Sequence, residues 1–251
     1  MSEFDGQRVI VTGAGRGIGR ETAQLLAARG ARVMGVARSA GELEALGLEY
    51  CVADLGTEEG CQQVITEAQS RLGGVDVLVC NHGIGSAHEK RVWEQDPEVW
   101  RATMRVNLDG PFYLTHRVLP TMIEQQYGRI VYTSSTAGLI AETAGSAYTA
   151  SKHGLIGLMR SVATDAGAYG VTANAVLPGW VRTEMAERSA AAEAGERGIT
   201  AEEVWSERAA LYTAGRVVTP REVAEAIAFL ASPRSSGVSG EAVRVALGSV
   251  W

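Results

Sequence analysis

Short runs of β-branched and small apolar residues alternate along this chain with longer amphipathic stretches, and that alternation restricts the fold more than any other feature. The runs lie at 8–12, 32–37, 49–53, 75–80, 128–133, 171–176 and 241–246. They read as apolar throughout rather than alternating polar with apolar. Strands of that kind are buried on both faces, which requires a parallel sheet between helix layers. The expected architecture is α/β and doubly wound (Rossmann): a single domain over residues 1–251, with seven parallel strands and helices on both faces. A chain of 251 residues is long enough to bury a large core in one such unit. No linker, internal repeat or low-complexity tract divides it. One tract stands apart, 186–213, rich in Ala and Glu between two Gly-containing turns. It is expected to form a mobile helical flap.

Composition excludes several classes of function. The net charge is −6, and no basic block is long enough to track a phosphate backbone, so a small molecule is expected as partner rather than nucleic acid. Residues 1–7 are acidic and polar, without the basic start and apolar stretch of an export signal, which points to the cytoplasm. No apolar segment approaches the roughly 20 residues of a membrane helix. Cys51, Cys61 and Cys80 have no metal or redox spacing and read as reduced core thiols. His82, His88, His116 and His153 form no ligand pattern, and no metal is expected.

The segment Thr12-Gly13-Ala14-Gly15-Arg16-Gly17-Ile18-Gly19 follows the first strand and opens a helix. Glycines there let the backbone approach a pyrophosphate, which the open amides and the helix dipole bind. A dinucleotide is therefore expected. The end of the second strand, where a carboxylate would accept the ribose 2′-hydroxyl of NAD, carries Ala37, Arg38 and Ser39 instead. Arg38, with Arg16 from the glycine loop, suits a 2′-phosphate, so NADP(H) is expected ahead of NAD(H). Asp54, followed by Leu55, stands just past the third strand, where it either binds the adenine amino group or caps the next helix.

Tyr148 and Lys152 are one helical turn apart and share a face. Acid–base work by a phenol near neutral pH needs about 4 kcal/mol of preferential stabilisation of the phenolate. A neighbouring ammonium supplies part of it.

In order and spacing these segments resemble the classical short-chain dehydrogenase/reductase family, over roughly residues 6–248. The resemblance rests on the TGxxxGxG segment at Thr12 to Gly19, on Asn107 ahead of Gly110, on Ser135 thirteen residues before Tyr148, on the YxxxK pair itself, and on Pro178-Gly179. It implies interconversion of a ketone and a secondary alcohol by hydride transfer, with Tyr148 as general acid and base. Lys152 would lower the tyrosine's pKa and hold the nicotinamide ribose. Ser135, rather than its neighbour Ser134, would orient the substrate oxygen, and Asn107 would organise a water between Lys152 and solvent. Asn81 and Gly83 would line the coenzyme, as would Pro178 and Gly179, with Val181 and Thr183 facing the carboxamide. Two departures stand out: His82 replaces a small residue, and is expected to pack, while the last strand ends in Ala246-Leu247-Gly248 instead of Asp-Gly-Gly.

Within the class, the alternatives are a 3-oxoacyl thioester (acyl-carrier-protein) reductase, for which Arg129 and Arg160 are candidate docking residues, and an NAD-dependent alcohol dehydrogenase. Outside it stands a dinucleotide sensor that does no chemistry. The substrate pocket would be built from the flap and the loop at 85–96, with Trp93, Trp180 and Trp205 as a partly aromatic wall. The helices around 100–126 and 148–169 resemble those that pair in family dimers and tetramers. Leu155, Ile156, Leu158, Met159 and Val162 offer more apolar surface than one face needs, so a homotetramer or homodimer is expected.

Overall fold

A computed structural model describes residues 2–85 and 90–249. Seven strands among these residues form one parallel sheet: β1 (Arg8–Thr12), β2 (Arg32–Ala37), β3 (Glu49–Val52), β4 (Val77–Cys80), β5 (Gly128–Thr133), β6 (Val171–Pro178) and β7 (Ala242–Val245). Their order is β3-β2-β1-β4-β5-β6-β7. The chain winds outward from β1 in one direction and then, from β4, in the other. Between β1 and β4 the order reverses, and a crevice opens at the carboxyl ends of the strands there. Val11 is paired with Gly35 on one side and Val79 on the other, so the crevice is framed at one level.

Successive residues of the central strands serve opposite cores. Ile10, Leu78, Ile130 and Tyr132 pack on α3 (Glu58–Leu72), α5 (Gly110–Glu124) and α6 (Ser146–Ala166). Val9, Val11, Val77, Val79 and Val131 meet α1 (Gly17–Ala28), α2 (Ala40–Glu44) and α9 (Pro220–Ala231). Burial on both faces is what the runs of consecutive apolar residues required. The edges depart from it: Val52 on β3 is 40% exposed, and β7 is only partly covered. An edge strand lacks a neighbour on one side, and the helix layers thin out there.

Before α5 come α4 (Pro97–Met104) and a π-helical turn at Arg105–Asp109. The expected flap is a hairpin of α7 (Glu184–Arg197) and α8 (Ala201–Ala210), with Thr183 and Thr200 as N-caps and a small core of Ala190, Ala194, Val204 and Trp205. Arg208, 5% exposed, stacks 3.6 Å from the Trp180 ring and pairs with Glu193 at 2.9 Å.

Three expectations need correction. Leu155, Ile156, Met159 and Val162 on α6 are buried in the monomer core, so they are not spare surface. Trp100 on α4 and Phe112 on α5 are among the large apolar side chains left exposed. Arg129 is buried, and its guanidinium donates to the carbonyls of Gly128, Gly170 and Ser232, which removes it from any docking surface. Trp93 is 75% exposed beneath Arg91, outside the cleft, and Trp205 lies inside the flap hairpin, leaving Trp180 as the aromatic wall. Residues 86–89 of the expected pocket loop, His88 included, lie outside the described residues. Among the described residues no helix is long and apolar enough to cross a membrane, and no His, Cys, Asp or Glu cluster could hold a metal ion.

Candidate active site

A cleft of about 610 Å³ runs across the carboxyl ends of β1, β2, β4, β5 and β6. Its floor at one end is the glycine loop. Gly13 and Gly17 have φ of 67° and 54°, the left-handed region that favours glycine. A Cβ on Gly19 would overlap the Gly13 carbonyl and come within 2.6 Å of Asn81 Nδ2. The packing therefore requires hydrogen at position 19 and keeps α1 tight against β1. Helices α3, α4, α7, α8 and α9 all have side-chain N-caps, whereas the N-cap of α1, Arg16, supplies none, and no acid occupies its first turn. The open amides and positive dipole end of α1 suit a pyrophosphate.

Thr12 ties this loop to the end of β4. Its hydroxyl donates to the Val79 carbonyl at 3.0 Å and accepts from the amides of Asn81 and His82, while Asn81 Nδ2 donates to the Thr12 carbonyl. His82 Nδ1 lies 2.8 Å from the same hydroxyl. Burial, reinforced by the nearby Lys152 charge, lowers the His82 pKa to about 3, so this imidazole is neutral; it also lines the cleft, where packing alone was expected. Gly110 makes room for it, since a Cβ there would approach His82 Nε2 to 2.9 Å.

At the other end, α6 brings Tyr148 and Lys152 into the cleft. Lys152 is 4% exposed, its Nζ donating to the Thr133 carbonyl at 2.9 Å and lying 5.5 Å from the centre of the Tyr148 ring. Burial lowers its pKa to about 8. The adjacent serines divide their work. Both border the cleft, but Ser134 is buried and donates to the Lys152 carbonyl at 3.0 Å, while Ser135 is half-buried and accepts from the Ala137 amide at 3.1 Å.

Asn107 sits in the π-helical turn, fully buried behind the cleft wall. Its Oδ1 accepts from the Ile84 amide at 2.8 Å, and its Nδ2 donates to the Ile84 carbonyl and Ser151 Oγ. Gly83 permits this approach, because a Cβ there would stand 3.2 Å from Asn107 Oδ1.

Most of the other expected residues line the cleft: Gly13, Gly15, Arg16, Gly17, Ile18, Arg38, Ser39, Asp54, Leu55, Pro178, Gly179, Val181 and Thr183. Asp54 accepts from the Gly56 amide, and Thr57, not Asp54, caps α3. Arg38 is exposed and makes no ion pair among the described residues, whereas Arg16 pairs with Glu184 at 2.8 Å and faces Glu42 at 3.6 Å. Glu42, Glu142, Glu184 and Met185 also line the cleft and were not singled out in the sequence. Only the docking of α2, the loop before α6 and the flap brings them there.

A family model described as enoyl-(acyl carrier protein) reductase matches residues 13–249. The chain belongs to the classical short-chain dehydrogenase/reductase family. It is 34% identical to D-beta-hydroxybutyrate dehydrogenase of Cupriavidus necator, over 99% of this chain and 96% of that protein. It is 35% identical to 3-oxoacyl-[acyl-carrier-protein] reductase FabG of Vibrio cholerae, over 96% of each. A solved structure of an actinorhodin polyketide ketoreductase variant with NADPH superposes with a TM-score of 0.89 at 32% identity, covering 96% of each chain. The protein is thus an oxidoreductase of the ketone and secondary-alcohol class, with a nicotinamide dinucleotide as coenzyme.

Proposed function

We propose that this enzyme reduces a ketone to a secondary alcohol with NADPH, and runs the reverse oxidation, using Tyr148 as general acid and base. The observation that carries the proposal is the buried Lys152 ammonium over the Tyr148 ring, at a cleft that Ser135 also lines. The coenzyme supplies the hydride. Lys152, with a pKa of about 8, is roughly nine-tenths protonated at pH 7 and stabilises the phenolate form of Tyr148. One of its N–H groups is used by Thr133, which leaves donors for ribose hydroxyls. Ser135 Oγ already accepts from Ala137, so its own hydrogen is available for the substrate oxygen. The Asn107 side chain commits both amide hydrogens and one oxygen lone pair to Ile84 and Ser151. Its part in a proton relay therefore runs through its main chain, where a π-helical turn displaces carbonyls from ordinary helical pairing.

Arg38, Ser39 and Arg16 support NADP(H) over NAD(H): Ser39 starts α2 without capping it, so its hydroxyl is open to a phosphate. The ketoreductase solved with NADPH points the same way. For the substrate we favour a small ketone against the Trp180 wall. A 3-oxoacyl thioester is the second reading, supported by the reductase from Vibrio cholerae and weakened by the burial of Arg129. The whole chain acts as one catalytic unit in the cytoplasm, and the exposed Trp100 and Phe112 favour a homo-oligomer through α4 and α5.

The test is to mix the protein with NADPH and a panel of ketones and oxoacyl thioesters, and to follow absorbance of the reduced nicotinamide. Turnover that disappears in Tyr148→Phe supports the mechanism. Flat traces throughout, with coenzyme binding intact, would favour a sensor that does no chemistry.

A further inference from the structure

The adenosine end of the cleft contains a carboxylate that its basic residues do not explain. Glu42, on α2, reaches back over the glycine loop, so that a Cβ built on Gly15 would lie 2.9 Å from Glu42 Cβ and closer still to its carboxylate. The same carboxylate is 3.6 Å from Arg16 Nη1, which is also held at 2.8 Å by Glu184 from the flap. All three side chains line the cleft. The two arginines expected to receive a 2′-phosphate are thus matched by two carboxylates. One arginine is already paired, and Arg38 is left without an ion-pair partner among the described residues.

We propose that Glu42 is a coenzyme-selecting residue that biases the enzyme toward the unphosphorylated dinucleotide, so that the preference for NADP(H) is limited rather than strict. The proposal rests on the dinucleotide reading of this cleft and deepens it. A 2′-phosphate brings a charge of about −1.5 to −2 near neutral pH. Beside Glu42 it meets repulsion and must draw Arg16 away from both carboxylates. A free ribose hydroxyl at the same place meets an acceptor, which is the role a carboxylate at the end of β2 would play. Here the end of β2 is Ala37, and the acid is delivered from the neighbouring helix. Both effects shift the ratio of affinities in the same direction. Arg16 and Glu42 are 43% and 38% exposed, so the repulsive part is screened by salt.

The experiment is to measure dissociation constants for NADP+ and NAD+ separately, by calorimetry on the 251-residue chain without substrate. It compares wild type, Glu42→Gln and Glu42→Ala at about 20 and 500 mM salt. Replacing Glu42 should tighten NADP+ relative to NAD+ by about tenfold at low salt, equivalent to about 1.4 kcal/mol. The gain for NADP+ should shrink at high salt. An unchanged ratio in both variants, or a shift toward NAD+, overturns the proposal. If wild type binds neither dinucleotide, the reading of the cleft fails, and the proposal fails with it.

Discussion

Lys152 carries a folding cost that pH should expose. Its ammonium is buried, and the pKa falls from 10.5 to about 8 because burial penalises the charged form. The gap corresponds to about 3 kcal/mol. Below about pH 8 the lysine is protonated in both folded and unfolded chains, and the native state bears the whole penalty. Between about pH 8 and 10.5 the unfolded chain still holds its proton while the native chain has released it. The unfolded state then binds more protons, so stability rises with pH. The expected slope approaches 1.4 kcal/mol per pH unit in the middle of that window. Above it the penalty is gone.

A clean comparison uses Tyr148→Phe as the background, so that titration of the tyrosine cannot contribute, and measures it with and without the further substitution Lys152→Met. Without coenzyme, urea unfolding of both variants from pH 7 to 10.5 gives a stability difference, lysine minus methionine, that should increase by about 3 kcal/mol. Titration of the buried cysteines and other tyrosines is common to both and cancels. The lost bond to the Thr133 carbonyl adds an offset that is nearly independent of pH while Lys152 stays charged. A difference that stays flat within about 0.5 kcal/mol, or that falls with pH, would refute the claim that burial dominates the lysine's environment.

Tyr148→Phe should lower kcat by roughly 10² to 10⁴ while the dissociation constant for coenzyme, measured by calorimetry, moves little. The serines should differ in kind: Ser134→Ala removes the hydroxyl's bond to the Lys152 carbonyl, which keeps its helical partner in α6, and costs about 0.5–1.5 kcal/mol in urea unfolding with little direct effect on turnover. Ser135→Ala removes the cap on the Ala137 amide, costing about 0.5–1 kcal/mol, and should in addition reduce turnover. Gly19→Ala drives a methyl into the Gly13 carbonyl and is expected to cost about 1–3 kcal/mol, together with a loss of coenzyme affinity seen by calorimetry.

The layered sheet was legible because its central strands are buried on both faces, a property written directly into runs such as Val77 to Cys80. What periodicity does not encode is lateral position, and β3 and β7 were accordingly read like their central neighbours. The glycine loop and the Tyr148–Lys152 pair were legible because their partners are close in sequence. Period two also held a signal for the serines. Continuing the alternation of β5, Ser134 follows Ile130 and Tyr132 toward the α6 layer, and it is Ser134 whose hydroxyl bonds the Lys152 backbone. Glu42 was not legible. It meets Gly15 only through the way α2 docks beside the glycine loop. The π-helical turn around Asn107 was equally silent, since its backbone pairing leaves no compositional mark.

These placements divide the cleft into two mechanical regimes. At the chemical end, three consecutive residues at the tip of β5 do separate jobs: the Thr133 carbonyl takes the Lys152 ammonium, the Ser134 hydroxyl holds the Lys152 carbonyl, and Ser135 lines the substrate side. Both ends of the lysine are therefore fixed to the strand that carries the proposed substrate ligand, and no movement of that tip can alter one without the others. Every residue of β5 is buried, which gives this arrangement its rigidity and also imposes the burial penalty on the ammonium. The adenosine end is built differently, from a five-residue helix and partly exposed ion pairs that salt and a bound phosphate can rearrange. Geometry at the reacting atoms tolerates little displacement, whereas discrimination between two coenzymes needs only a modest difference in charge. The fold accordingly ties the proposed proton chemistry to a fully buried strand and leaves coenzyme choice to a few adjustable surface charges.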